Sequence, residues 1–306
     1  MSAPADRALE PVVAQPLLTG AVKSLRPKQW LKNVLVFAAP VAAGMIDERT
    51  TLLHTIAAFA CFCAAASATY LFNDAVDVEA DRRHPVKRHR PIAAGALPVG
   101  VAFAMAGVLL VLGVGGAFLT ARDFGITVLA YLALTTAYTT RLKHVPILDI
   151  VAVAAGFVLR AVGGATATGI PISEWFFIVT SFGALFMVAG KRHGELSELE
   201  EHEAVDVRPA LAAYTPSFLA YLRAVFSGGA LIAYCMWAFS SAELHGGGAI
   251  WYQLSIVPFA VAILRYALLL EQGKGAEPEN LVLSDGTLLV AGVLWALIYG
   301  VATYLA

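Results

Sequence analysis

A row of carboxylates, Asn73-Asp74-Ala75-Val76-Asp77-Val78-Glu79-Ala80-Asp81, closes an apolar stretch that begins near Leu52. It leads straight into the basic stretch Arg82-Arg83-His84-Pro85-Val86-Lys87-Arg88-His89-Arg90. On a helix of about 3.6 residues per turn, Tyr70, Asp74, Asp77 and Asp81 recur at spacings of four, three and four and share one face. Three carboxylates on one face repel one another unless a cation lies between them. Hard oxygen ligands suit Mg²⁺, which keeps several waters and is usually completed by substrate phosphates. The guanidinium and ammonium groups that follow suit phosphate oxygens. The spacing therefore predicts a site for a magnesium-bound diphosphate, with Asp74, Asp77 and Asp81 as the metal ligands and Asn73 beside them.

Four further polar clusters accompany the first. Tyr138-Thr139-Thr140-Arg141-Leu142-Lys143-His144 ends one apolar run, and Asp149 and Arg160 lie at the start of and within the next. Asp149, Gly156, Arg160 and Gly164 fall at offsets of seven, eleven and fifteen, so they share a helical face with Gly163. A charge inside a membrane span is costly unless it is paired or wet, so that face should look into the bundle. Its glycines would let a helix or substrate approach closely. Asp149 and Arg160 fit either a site role or a buried structural ion pair. Lys191-Arg192-His193-Gly194-Glu195 follows a later span, with acidic residues from Glu198 to Asp206 beyond it, which read as a solvated face of a short amphipathic element. Glu277-Pro278-Glu279-Asn280 and Asp285 precede the last span, and Arg26-Pro27-Lys28-Gln29-Trp30-Leu31-Lys32-Asn33 has an interfacial mixture of basic and aromatic residues. Taken singly, basic residues after a span are ordinary topology signals.

The elements that must hold these residues are membrane helices. Hydrophobic residues make up 59% of 306 positions and charged residues 14%, too apolar for an ordinary soluble domain. The mean hydropathy is +0.72. Runs near 30–46, 51–73, 97–120, 123–140, 146–168, 173–190, 216–241, 249–271 and 284–305 approach the roughly 20 residues a crossing needs. About nine spans follow, and 30–46 is the weakest, with Lys32, Asn33 and Pro40 inside it. Only Arg49 and Arg122 fall in one set of loops, so the other, basic set is expected on the cytoplasmic side and the C-terminus outside. The expected organisation is a disordered cytoplasmic tail over 1–22 and one all-α integral membrane domain over 23–306, in the plasma membrane. Cys61, Cys63 and Cys235 sit in apolar helical context and read as packing residues.

The motif Asn-Asp-x-x-Asp-x-x-x-Asp at 73–81, Tyr138 and Lys143 ahead of the acid Asp149, and about nine spans together resemble the UbiA superfamily of intramembrane prenyltransferases. Finer features at 26–33, 84–95, 187–192 and 278–280 are similar to one branch of it. That branch joins 5-phosphoribosyl diphosphate to a polyprenyl phosphate on the way to the arabinose donor of a bacterial cell envelope. One departure stands out: aromatic prenyltransferases of the superfamily usually carry a second Asp-x-x-x-Asp, whereas Asp149 is followed four residues later by Val153. A more basic second cluster favours substrates with extra phosphates over a prenyl diphosphate.

The resemblance implies a UbiA-like helical bundle with its active site at the cytoplasmic face. In it Asp74, Asp77 and Asp81, with Asn73, would set Mg²⁺ on the leaving diphosphate. Lys28, Lys87, Arg88, Arg90, Lys143, Lys191 and Arg192 would orient the phosphate-bearing substrates, with Tyr138, Asp149 and Arg160 completing the binding set. The sugar would pass through an oxocarbenium-like state. An incoming phosphate oxygen is already anionic, so positioning and electrostatics would carry the catalysis. The expected partners are the two substrates and the bilayer, and no nucleic acid, with a homo-oligomer left open. Two alternatives stand beside this reading: a prenyltransferase acting on an aromatic acceptor, and a lipid transporter. Against the transporter, the polar groups gather at one face and not at the midplane.

Overall fold

A segment in lipid must satisfy every backbone N–H and C=O internally, so apolar runs of this length can only be helices. A computed structural model bears this out, and it describes residues 16–201, 210–245, 249–272, 281 and 284–305, of 198–201 and 244–245 the backbone alone. The helices are α1 (Leu17–Ser24), α2 (Ala38–Ala42), α3 (Arg49–Val76), α4 (Val78–Arg83), α5 (Val99–Thr120), α6 (Arg122–Thr140), α7 (Leu148–Thr168), α8 (Glu174–Glu201), α9 (Pro216–His245), α10 (Ala249–Leu254), α11 (Ile256–Glu271) and α12 (Gly286–Tyr304). A 3-10 segment, Pro27–Phe37, joins α1 to α2. Helix α1 begins inside the stretch expected to be a tail, with Gly20 and Ser24 buried. Residues 1–15 lie outside the described residues.

Among the described residues, seven helices are long and apolar enough to cross a membrane. The two other expected spans differ in kind. Helix α6 has 19 residues but carries Arg122, Asp123 and a series of threonines. The hydroxyls of Thr127, Thr135, Thr136, Thr139 and Thr140 each donate to the carbonyl one turn back, which hides their polarity. The 30–46 run is not one α-helix but the 3-10 segment followed by the five residues of α2. Eleven residues at about 2.0 Å and five at about 1.5 Å still reach about 30 Å, the thickness of the hydrocarbon core.

Successive helices run antiparallel. Gly113 of α5 meets Cys61 and Ala65 of α3, and Phe103 meets Phe72. Thr127 and Tyr131 of α6 meet Thr166 and Arg160 of α7. It follows that α3 and α7 are antiparallel neighbours, and the end of α3 lies at the same end of the bundle as the start of α7. The interior is lined by small residues, among them Ala58, Ala65, Ala66 and Ala68 of α3, so backbones approach closely. Large apolar side chains point outward, as Val111 at 70% and Leu119 at 90% exposure on α5. At the opposite end from the carboxylates, the Tyr299 hydroxyl of α12 donates to the Ala42 carbonyl at 2.7 Å and joins the last helix to the first crossing.

The expected approach over the α7 glycines takes place. A Cβ at Gly164 would fall on the Val36 carbonyl of the 3-10 segment, and one at Gly163 would strike the Phe62 ring of α3.

Candidate active site

Asp74 sits in the last turn of α3, and the helix bends just beyond it. At Asp77 the backbone has φ −85° and ψ 7°, after which α4 resumes the helical path. The carboxylates divide into two sets. Asp74 and Asp81 are buried at 5% and 4% exposure, while Asp77 points into the open. The expectation of one face holding all three is corrected to two inward carboxylates and one outward: Asp74 and Asp81 stand seven residues apart, close to two full turns, and Asp77 falls to the side of their line. Asn73 is half-buried beside Asp74.

Two arginines converge on the buried pair. Arg26 Nη2 lies 2.8 Å from both oxygens of Asp74. Arg90 Nη1 lies 3.1 Å from Asp74 Oδ1 and 2.8 Å from Asp81 Oδ2, so both carboxylates meet on one nitrogen. Arg26 also lies over the Tyr70 ring, 4.7 Å from its centroid. Sequence reasoning named Arg90 but passed over Arg26, although Arg26 opens a basic and aromatic stretch already singled out. The half-buried Lys87 and Arg88 lie on the turn Lys87–His89 just before Arg90, and the exposed Lys28 lies two residues after Arg26.

Among the described residues, no three carboxylate, imidazole or thiol groups cluster closely enough to hold a metal unaided. Two convergent buried carboxylates nevertheless fit Mg²⁺, which takes one or two protein carboxylates and fills its remaining positions with waters and phosphates. A cationic guanidinium already occupies the focus of the pair.

The second cluster joins three helices, α6, α7 and α8, and the loop before α9. Arg192 Nε lies 2.7 Å from Asp149 Oδ2, Arg192 Nη1 lies 2.6 Å from Glu195, and Arg192 Nη2 reaches the Tyr138 hydroxyl at 3.3 Å. Lys191 also faces Glu195, at 3.9 Å. The Tyr214 hydroxyl donates to Asp149 and accepts from the Ile147 N–H at 2.6 Å. Asp149 and Arg192 are both 2% exposed, and these further hydrogen bonds are what make so dry an ion pair tolerable. Burial and the neighbouring Asp149 both disfavour a tyrosinate, so the Tyr214 hydroxyl titrates above its ordinary range. The Lys191–Glu195 stretch lies on α8, which runs on to Glu201, and not in a loop as expected. Its i,i+3 and i,i+4 charge pairs support that extension. Glu195 and Tyr214 were missed as site residues. Glu195 stands four residues after Lys191, a spacing that could have pointed to it, whereas no sequence spacing marks Tyr214. Residues 202–206 and 277–280 lie outside the described residues.

Arg160 belongs to neither cluster, and of the two alternatives left open by the sequence the ion pair with Asp149 does not form. Eleven residues of α-helix separate the two by about 16 Å along the axis. Arg160 instead bonds Asn33 Oδ1 at 2.7 Å, the Gly156 carbonyl at 2.6 Å and the Tyr131 hydroxyl at 2.9 Å. Asn33 in turn donates to the Cys63 sulfur at 3.2 Å. Arg160 thus ties the 3-10 segment to α6 and α7 deeper in the bundle. Lys143 is half-buried on the turn Leu142–His144 that leads from α6 towards α7.

An apolar cavity of about 580 Å³ opens between the 3-10 segment, α2, α8, α9, α11 and α12. Val34, Phe37, Phe176, Trp237, Phe259 and Trp295 are among its walls.

The site is thus a diacid helix end ringed by basic residues at one end of a bundle of membrane helices, with an apolar cavity inside the bundle. The chain belongs to the UbiA prenyltransferase family, whose model matches residues 33–286. It is 44% identical over 293 residues to a protein of Corynebacterium glutamicum named decaprenyl-phosphate phosphoribosyltransferase, covering 94% of this chain and 88% of that one. A protein of the same name from Mycobacterium tuberculosis is 42% identical over 300 residues, 96% of this chain and 98% of that one. Among solved structures, a UbiA homolog from Archaeoglobus fulgidus bound to DMAPP and Mg²⁺ superimposes with a TM-score of 0.69 at 20% identity, over 93% of this chain and 98% of that one. That likeness concerns the fold.

Proposed function

We propose that this protein transfers the 5-phosphoribosyl group from 5-phosphoribosyl 1-diphosphate to decaprenyl phosphate, releasing diphosphate. The observation that carries the reading is identity of 41–44% across nearly the whole chain with proteins named for that activity. The site agrees with it. Asp149, the acid of the second cluster, is taken up by Arg192 and Tyr214, which leaves the α3 end as the place for a metal-bound diphosphate. The basic residues around it exceed what one diphosphate needs and match a donor with a further 5-phosphate.

In this reading Asp74 and Asp81 would hold Mg²⁺, with Asp77 and Asn73 on the same helix end as further candidate ligands. When bound, Mg²⁺ neutralises charge on the diphosphate as it departs. The bond from ribose C1 to the diphosphate oxygen breaks, and one from C1 to the lipid phosphate oxygen forms, with inversion at C1. The acceptor oxygen is already anionic when it attacks and becomes the ester oxygen of the product, so no side chain has to remove a proton. Lys28, Lys87, Arg88, Arg90 and Lys143 hold phosphates at this end, and Lys191 borders the second cluster. Arg192, Tyr138 and Asp149 keep α6, α7 and α8 in register around the substrates, and Arg160 fixes the 3-10 segment behind them. The isoprenoid tail enters the apolar cavity, whose walls supply hydrophobic contact without polar cost. The active site faces the cytoplasm, where the basic loops lie, and nine crossings leave the C-terminus outside.

The test is the 5-phosphate. Ribose 1-diphosphate lacking it should be a poorer donor by roughly tenfold to a hundredfold per lost charged contact. Equal use of the two donors would refute the assignment.

A further inference from the structure

The stretch that opens at Arg26 is fastened along α3 at three points, about two turns and then one turn apart. Arg26 meets Asp74, Trp30 Nε1 donates to Ser67 Oγ at 3.0 Å, and Asn33 meets Cys63. Ser67 Oγ in turn donates to the Leu25 carbonyl at 2.8 Å. Only the first of these fastenings is made by a full charge on a carboxylate of the proposed metal site. Arg26 also has a left-handed backbone, φ 55° and ψ 58°, which a side chain with a Cβ adopts rarely. It lies at the junction of α1 and the 3-10 segment.

Charge bookkeeping at this site is closed. Two carboxylates face two guanidiniums, and the arginines hold the position that a cation would take. The carboxylates are 6% and 5% exposed, whereas Arg26 and Arg90 keep 30% and 31% of their side chains open to water. Each arginine therefore has a wet side toward which it can turn.

We propose that Arg26 and Arg90 exchange partners, and that the exchange couples metal loading to donor loading. Without metal they neutralise Asp74 and Asp81. When Mg²⁺ takes the carboxylates, the two guanidiniums are released to the donor's phosphate oxygens. A metal arriving alone must displace two arginines that then have no anion to meet, and a donor arriving alone finds the same arginines held by aspartate. Together each supplies what the other displaces, so the two ligands bind with positive linkage. The inference rests on the diphosphate-donor reading above, and it adds Arg26 as a substrate-binding residue.

Mn²⁺ binding to the purified protein, read by electron paramagnetic resonance with and without 5-phosphoribosyl diphosphate, tests it without any turnover. Wild type should bind Mn²⁺ weakly alone and much more tightly with donor. Arg26→Gln should bind Mn²⁺ alone roughly tenfold more tightly, bind donor roughly tenfold more weakly, and so lose most of the enhancement. Arg26→Lys, which keeps the charge but not the planar fork, should fall between the two, and it serves if the glutamine variant does not fold. Unchanged or weaker Mn²⁺ affinity of Arg26→Gln without donor would overturn the exchange, whatever the donor proves to be. If geranyl diphosphate, and not 5-phosphoribosyl diphosphate, produced the enhancement in wild type, the exchange would stand and the donor assignment would fall.

Discussion

Asp77 is the cleanest probe of the metal reading, because it is exposed while Asp74 and Asp81 are tied to arginines. Asp77→Asn should lower turnover at limiting Mg²⁺ and leave the melting temperature unchanged. Near-normal activity at limiting Mg²⁺ would remove Asp77 from the ligand set. The second cluster behaves oppositely. Arg192→Leu leaves Asp149 buried without its cation and should cost about 3–5 kcal/mol of stability, largely recovered in the double variant with Asp149→Leu. Arg160→Leu should show no such recovery with Asp149→Leu, since its partners are Asn33, Gly156 and Tyr131. Thermal melting of the single and double variants decides both points. The aspartates, Arg90 and Arg192 were legible because residue type and helical spacing mark them. Arg26 and Tyr214 were not, because each meets its aspartate across 48 and 65 residues of chain, a separation no local pattern encodes.

Among the elements, the long apolar helices were readable from length and composition, since a lipid-crossing segment has few alternatives. The 3-10 segment was not, because what stabilises it lies on its neighbours: Ser67 and Cys63 of α3, and Arg160 and Gly164 of α7. Its close seat on α7 makes Gly164→Ala costly, by about 1–3 kcal/mol from overpacking against the Val36 carbonyl, measurable as a loss of thermal stability. At the start of α12, Asp285 caps the helix through the Leu288 N–H and pairs with Arg265, whose guanidinium holds the Asp285 carboxyl at about 2, below its ordinary value of 3.8. A depressed carboxyl stabilises the fold above its ordinary pKa and loses that contribution as pH falls. Wild type should therefore lose stability relative to Asp285→Asn between about pH 4 and pH 2. A constant difference between the two across that window would contradict the pairing.

For the whole molecule, the up-and-down order of the helices places every carboxylate–arginine cluster at one end and the Tyr299–Ala42 contact at the other. In the proposed orientation the basic loops put the first end in the cytoplasm. A cysteine at His89 should be shielded from an impermeant thiol reagent in intact cells, and one at Thr50 should be labelled. The reverse would overturn the orientation. The central claim concerns the reaction, and one measurement bears on it most directly: purified protein in detergent with ribose-labelled 5-phosphoribosyl diphosphate and decaprenyl phosphate. Label should pass into the lipid with release of diphosphate, and both should cease with EDTA or in Asp81→Asn. Absence of labelled lipid in that mixture, together with prenyl transfer from a prenyl diphosphate to an aromatic acceptor by the same preparation, would contradict the account.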